Sequence, residues 1–366
     1  MMKEGTHIVF ICSRLDLPGG TEHAVVRTAS LFSEHGHKVT ILVLDKSKES
    51  FFPVDPLVNL IHKELHFGIT PKGNMVSRKV AFWRQTGQLK DLLTGLNPDV
   101  VIATEYHYSI VTRVATGKIA CRVYSWEHHH FGELEKNRFW DYLFRKFYPG
   151  LDAVICLNPS EAKLFSSIGA KTEVIPNFIN VHDREEKHEK KIITVARLSQ
   201  VKGIDRLLQV AALVLKKHPE WQWQIIGDGE LKPEVEKFIE DEKLIQQLIL
   251  RPPVNHDLSP VYSSSGFYVM TSRNECFPMV LLEAMSYGKP CIAFDCETGP
   301  RHIIQNGIDG ILVPDGEIGL MAQAIDDLIN NKEKTIMMGK AAKQNMERFS
   351  PGKIYSLWEA LVKREN

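Results

Sequence analysis

Residues 266–294, G-F-Y-V-M-T-S-R-N-E-C-F-P-M-V-L-L-E-A-M-S-Y-G-K-P-C-I-A-F, decide how this chain folds. The apolar runs 266–270 and 290–294 have the length of buried strands, and the run that opens at Met279 reads as a helix between them. A strand, a helix and a second strand in that order belong to a parallel α/β sheet. Two carboxylates sit in this unit, Glu275 on the loop before the helix and Glu283 in its first turns, with seven residues between them. The amides of Phe277, Pro278, Met279 and Val280 are expected to point outward there, and free amides at a helix start attract anions or sugar oxygens. A loop carboxylate can accept hydrogen bonds from several hydroxyls of a hexose, and a helix carboxylate can take a hydroxyl pair such as that of a ribose. The pair therefore reads as a clamp for a nucleotide sugar. Its alternative is two solvated glutamates favoured by the helix dipole, and spacing alone does not choose.

Outward from that unit, short apolar runs alternate with amphipathic helical stretches along the whole chain. Strands are expected at 7–12, 38–44, 100–104, 122–126, 153–157 and 172–175, and again at 192–196, 223–226, 248–251, 266–270, 290–294 and 310–313. Between the two sets lies P-N-F-I-N-V, then H-D-R-E-E-K-H-E-K-K, a polar stretch without periodicity that makes a linker. The expected organisation is a first Rossmann-like domain over 1–180, a second over 181–349, and a last helix over 350–366 that carries Trp358 and crosses back to the first domain. Two doubly wound domains that face each other hold their ligand at the carboxyl ends of their strands, in the cleft.

Bulk numbers limit what the chain can do. Its 366 residues suit two domains, and 43% hydrophobic with 25% charged residues describe a globular protein. Lys plus Arg equals Asp plus Glu at 45 each, so no global field recruits nucleic acid. No apolar run approaches the roughly 20 residues of a membrane span, and M-M-K-E-G-T-H leads into I-V-F-I-C without a cleavable signal, so a cytoplasmic protein is expected. The six cysteines show no C-x-x-C pair and read as free, mostly buried thiols.

Several further segments carry chemistry. In S-R-L-D-L-P-G-G-T-E-H, Gly19 and Gly20 lie in the loop after the first strand, where backbone amides can approach a phosphate or sugar; a plain tight loop explains them equally well. In T-V-A-R-L-S-Q-V-K-G-I-D, Arg197 and Lys202 share the loop after a strand; a directed fork and a point charge suit a diphosphate, and could replace a divalent metal in stabilising a departing nucleoside diphosphate. In I-I-G-D-G-E, Gly227 allows a nucleobase or ribose to lie against backbone, while Asp228 reads as a turn residue. In W-E-H-H-H-F, His128 is the candidate for sugar hydroxyls, and no third ligand at a metal-binding spacing accompanies it and His130. The segment K-N-R-F-W-D-Y-L-F-R-K-F-Y over 136–148 interleaves cations and aromatics; it can lie on an anionic bilayer, although a helix burying Phe139, Leu143 and Phe147 is the favoured reading.

Taken together and in this order, G-G-T-E, W-E-H, V-I-P-N-F, A-R-L-x-x-x-K-G, I-G-D-G, E-C-F-P-M-V-L-L-E-A-M-S-Y-G-K-P and N-G-I-D-G-I-L-V-P resemble the family 4 retaining glycosyltransferases of the GT-B fold. The resemblance spans nearly the whole chain, and it implies that the first domain binds the acceptor and the second the nucleotide sugar. It implies that Arg197 and Lys202 hold the donor pyrophosphate, Glu275 the hydroxyls of the transferred sugar and Glu283 the ribose, with Gly20 bordering the reaction centre and His128 matching the sugar-contacting histidine. It also implies an enzyme without a metal or other cofactor that keeps the anomeric configuration by same-face attack, the leaving phosphate helping to deprotonate the acceptor. One departure is that T-G-P-R-H-I-I places His302 where the family commonly has a glutamate. The T-G-P form is similar to members that build bacterial polysaccharides and lipid-linked oligosaccharides from UDP-hexosamine or UDP-galactose. The expected activity is transfer of a hexose or N-acetylhexosamine from a nucleotide sugar, UDP-linked, to a glycan or lipid-linked acceptor at the inner face of the membrane. The rivals are a UDP-sugar epimerase or hydrolase and a non-catalytic sugar-nucleotide-binding protein.

Overall fold

The computed structural model describes residues 5–45, 49–67, 75–134, 136–182, 189–253 and 258–364; positions 183–188 of the charged linker lie outside them. Among the described residues the strands are β1 (His7–Cys12), β2 (Lys38–Val43), β3 (Asn59–His62), β4 (Val100–Thr104), β5 (Arg122–Glu127), β6 (Ala153–Cys156) and β7 (Thr172–Val174). They continue with β8 (Lys191–Val195), β9 (Gln222–Ile226), β10 (Leu248–Arg251), β11 (Phe267–Met270), β12 (Cys291–Asp295) and β13 (Gly310–Pro314). Two all-parallel sheets result, ordered β3-β2-β1-β4-β5-β6-β7 and β10-β9-β8-β11-β12-β13. In each, the chain starts in the middle, builds outward to one side, and returns to build the other: the doubly wound α/β architecture expected from the alternation.

The apolar runs become strands because parallel sheets are covered by helices on both faces. Ile8, Val9, Phe10 and Ile11 are all fully buried, side chains of both orientations included. Strand β3 was not expected: N-L-I-H is four residues long, lies at the sheet edge and is only half-buried, too short to show a pattern. All six cysteines are unpaired and five are buried.

Two compact units form, Met1–Pro176 with Ile354–Asn366, and Asn177–Lys353. The first packs its core around Phe144, Tyr148, Phe165 and Leu89, the second around Trp223, Phe267, Leu207 and Met321. The last helix, Pro351–Val362, seats Trp358 edge-on to Trp126 at 5.1 Å and to Phe32 at 5.8 Å. Arg122 Nη1 donates to the carbonyls of Leu361 at 3.2 Å and Arg364 at 2.6 Å, and Tyr124 Oη donates to Leu361. A guanidinium there satisfies carbonyls that the helix end leaves without partners.

The aromatic helix Arg138–Phe147 corrects one expectation. Asn137 caps it by accepting from the amides of Phe139 and Trp140, and that start turns Trp140, Leu143 and Phe144 inward. Leu143 is buried as expected and Phe147 packs partly buried against the core, but Phe139 remains 40% exposed and Trp140 and Phe144 fill the core in its place. Lys136 also differs: its ammonium lies over the rings of Phe144 at 4.5 Å, Phe131 at 5.4 Å and Tyr106 at 5.6 Å, half-buried rather than presented to solvent with the other cations.

Candidate functional site

In the second sheet the order reverses between β8 and β11, so the loops that follow them diverge and leave room at their carboxyl ends. The loop after β8 carries Arg197, exposed, and Lys202, half-buried; the loop after β11 carries Glu275. Four hydrogen bonds tie these loops together. Thr271 Oγ1 donates to the carbonyls of Lys202 at 3.3 Å and Gly203 at 3.0 Å, the Arg273 amide donates to Val201 at 2.8 Å, and Arg273 reaches the Gln200 carbonyl at 2.7 Å. Arg273 also makes a two-pronged pair with Asp205, both prongs at 2.7 Å, which holds the Asp205 carboxyl below its usual range. Gly203 makes the approach feasible: its φ is +64°, and a Cβ would lie 2.0 Å from the Thr271 carbonyl oxygen.

This joining puts Lys202 against Glu275. Lys202 Nζ donates to Glu275 Oε1 at 2.7 Å, and Ser272 Oγ donates to the same oxygen at 2.7 Å. With its side chain 11% exposed, Glu275 is largely shielded, so its charge interacts more strongly than it would in open water. The backbone behind it is braced as well. Thr298 Oγ1 and the Gly299 amide both donate to the Glu275 carbonyl, at 2.7 and 2.8 Å, and a Cβ on Gly299 would lie 2.8 Å from that carbonyl oxygen. The T-G-P turn is therefore a support for Glu275. His302 ends the short 3₁₀ turn Pro300–His302, and its carbonyl accepts from Arg348 at 3.0 Å.

The helix after Glu275 runs Met279–Ser286, with Pro278 as its cap residue and no side-chain cap. Proline has no N–H, so Pro278 drops out of the expected set of amides and Phe277, Met279 and Val280 remain as donors. The Phe277 ring is buried edge-on to Phe349 at 5.6 Å, which leaves only its backbone to serve a ligand. Glu283 is the fifth residue of the helix and accepts at Oε2 from the Tyr262 hydroxyl at 2.9 Å. Gly227 follows β9, and the Ala196 carbonyl oxygen occupies the space its Cβ would need, 1.9 Å away; this glycine lets the turn close on the Arg197 loop. Asp228 Oδ1 accepts from the Gly229 amide at 2.8 Å, as befits a turn residue.

The first unit has its own reversal, between β1 and β4. Gly19 is the cap residue of the helix Gly20–Glu34, and a Cβ on Gly20 would meet nothing within 4 Å, so the backbone there borders open space. Beside it, sequence reading missed Glu105, directly after β4, which accepts from Ser13 Oγ at 2.6 Å and has φ +68°, rare for a residue with a side chain. Burial and the charge of Glu22 raise its carboxyl. The available signal was an acidic residue at the carboxyl end of a buried strand.

His128 follows β5 with its ring 4.4 Å from Trp126, and burial with the adjacent His129 charge pushes its imidazole down to about 3. It is neutral at physiological pH, able to donate and to accept. His130 belongs elsewhere, with Nδ1 2.6 Å from the buried Glu161. Among the described residues no group of three or more His, Cys, Asp or Glu is arranged to hold a metal ion. The structure thus brings Lys202, Glu275 and the start of the Glu283 helix together in the second unit, with Arg197 on the adjoining loop, while Gly20 and His128 lie at strand ends of the first.

Known proteins match along nearly the whole chain. The family described as Glycosyl transferases group 1 matches residues 177–345, and Glycosyltransferase Family 4 matches residues 18–183. An uncharacterized glycosyltransferase of Haemophilus influenzae is 26% identical over 362 residues, covering 97% of this chain and 99% of that protein. The amylovoran biosynthesis glycosyltransferase AmsD of Erwinia amylovora is 27% identical over 354 residues, covering 94% and 96%. Among solved structures, a TarM mutant of S. aureus in complex with fondaparinux, alpha-GlcNAc-glycerol and UDP shares the fold with a TM-score of 0.82 at 17% identity, over 98% of this chain and 100% of that one.

Proposed function

This chain belongs to the family 4 glycosyltransferases, and from that premise we propose that it moves a hexose or N-acetylhexosamine from a UDP-linked sugar to a glycan or lipid-linked glycan in surface-polysaccharide synthesis. The observation that carries the reading is the contact of Lys202 with Glu275 at the reversal point of the second sheet, on loops that also present Arg197 and a helix start. A diphosphate needs cations and amides; a hexose beside it needs a shielded acceptor of hydroxyl protons. That AmsD is named for amylovoran biosynthesis, and that TarM was solved with UDP, supports the substrate class.

In this reading the anomeric C–O bond breaks and its electron pair goes to the β-phosphate oxygen. Lys202, Arg197 and the amides of Met279 and Val280 meet that growing charge, the role a metal would otherwise fill. The acceptor hydroxyl attacks from the same face, its proton passes to the leaving phosphate, and the products are UDP and a glycoside of the donor's configuration. Glu275 holds hydroxyls of the sugar, Glu283 the ribose, and neutral His128 a further sugar hydroxyl. The first unit, with Gly20, is assigned to the acceptor. The test is UDP release from UDP-sugars in EDTA, with and without acceptor glycans. Release is expected to require acceptor and to be unaffected by the chelator; full-rate release without acceptor would make the enzyme a hydrolase, and loss in EDTA would refute the cation assignment.

A specific surface favours work at the inner face of the cytoplasmic membrane. Trp83, Val80, Tyr142 and Phe139 are 65%, 60%, 60% and 40% exposed, and Phe82 lies 5.3 Å from Trp83 and 6.0 Å from Phe139. Exposed Arg138, Arg145 and Lys146 accompany them, the pairing of rings and cations that anionic headgroups attract. No helix among the described residues is long and apolar enough to cross a membrane, so the contact would be peripheral. The chain is expected to float with vesicles containing phosphatidylglycerol and not with phosphatidylcholine alone. Arg138→Gln, Arg145→Gln and Lys146→Gln together should abolish flotation; equal flotation would remove the assignment.

A further inference from the structure

Beneath the second unit's site lies a set of stacked rings that none of the roles above uses. Tyr262, on the short helix Ser259–Ser264, is 1% exposed. Its ring is nearly parallel to that of Tyr287, at 5.7 Å and 12°, and Tyr287 in turn stacks on His182 at 4.4 Å and 14°. The Tyr287 hydroxyl is hydrogen-bonded to Ser259 on the same short helix. Tyr268, tilted against Tyr262 at 6.4 Å, donates its hydroxyl to the Val195 carbonyl at 3.0 Å, just before the loop of Arg197 and Lys202. The rings therefore tie the short helix to the end of the strand that precedes the Arg197 loop, and hold in place the Tyr262 ring that carries the hydroxyl.

That hydroxyl donates to Glu283 Oε2 at 2.9 Å. A carboxylate at the fifth position of a helix has three soft torsions, and recognition of a diol needs both oxygens in one plane at one angle. A donor on a rigid ring supplies that constraint. Burial also raises the phenol well above its ordinary range, so it stays protonated and remains a donor.

We propose that Tyr262 is a positioning residue for ribose recognition, setting the Glu283 carboxylate to receive the 2′- and 3′-hydroxyls of the donor nucleotide. The proposal rests on the reading of Glu283 as the ribose partner. Calorimetric titration of UDP and 2′-deoxy-UDP into the wild type, Glu283→Gln and Tyr262→Phe separates the two ideas. Wild type is expected to prefer UDP, and Glu283→Gln to erase the preference; a preference that survives in Glu283→Gln refutes the ribose reading itself.

If that reading stands, Tyr262→Phe should cut the preference roughly threefold to tenfold, the worth of one hydrogen bond, while leaving affinity for 2′-deoxy-UDP unchanged. A preference equal to wild type, or equal losses for both nucleotides, would overturn the proposal and leave Tyr262 as core packing. Should the phenylalanine variant not fold, 3-fluorotyrosine at 262 keeps the ring and hydroxyl but alters the donor's strength. A shifted preference then supports the role, and an unshifted one overturns it.

Discussion

Replacing Lys202 with alanine is expected to lower kcat by about 10²–10³-fold, or about 3–4 kcal/mol of barrier, the cost of removing one preorganised charge-stabilising group. Charge on the β-phosphate oxygen grows as the anomeric bond breaks, so Lys202 interacts more strongly with the transition state than with bound donor. The loss should therefore appear in kcat more than in donor KM. Ser272 still donates to Glu275 in this variant, and the Arg273 pair with Asp205 still joins the two loops, so the fold should persist. Initial rates at saturating donor and acceptor, beside a thermal melt, make the check. A variant with wild-type kcat would remove Lys202 from the chemistry; a fall confined to KM would make it a binding residue only.

Glu275→Gln is expected to lower kcat/KM by roughly 10²–10⁴-fold while leaving the affinity for UDP unchanged. Each hydrogen bond from a sugar hydroxyl to the carboxylate is worth about 1.5–3 kcal/mol, and a sugar reader makes two. The amide keeps the shape but withdraws the charge and turns a donor toward Lys202, whose ammonium now meets no anion from this side chain. UDP carries no transferred sugar, so a loss of UDP affinity equal to the loss of rate would show that Glu275 serves the nucleotide instead. Steady-state kinetics with UDP-sugar, set against calorimetry with UDP, separates these outcomes.

Both effects depend on contacts that sequence reveals unevenly. The second-unit strand–helix–strand unit was legible because it is local: an apolar run, a proline, and an apolar run of helical length place Met279 at the helix start, where the structure has it. The same local logic found Arg197 and Lys202 after a strand. It could not find what holds them in register. The Arg273 pair with Asp205 spans 68 residues, and the brace of Thr298 on the Glu275 carbonyl spans 23; neither leaves a periodic trace. Tyr262 in V-Y-S-S-S reads as one more core aromatic until Glu283 is seen on its hydroxyl, 21 residues away.

The aromatic helix shows the opposite limit. Its cations and rings were legible as a class, but which ring faces in was decided by one cap, Asn137, and by the pocket that takes Trp140. Glu105 carried one local signal, its place directly after a buried strand, but the backbone angle that sets it apart is announced by no residue type. Supports set by long-range pairing and by single dihedrals are where this chain's site becomes specific.

The most direct test of the central claim is to run transfer from an α-linked UDP-sugar to an acceptor glycan in EDTA and read the product's anomeric centre by proton NMR. An α-glycoside formed together with one UDP per transfer is the expected result. A β-glycoside, or UDP released with no glycoside formed, would contradict it.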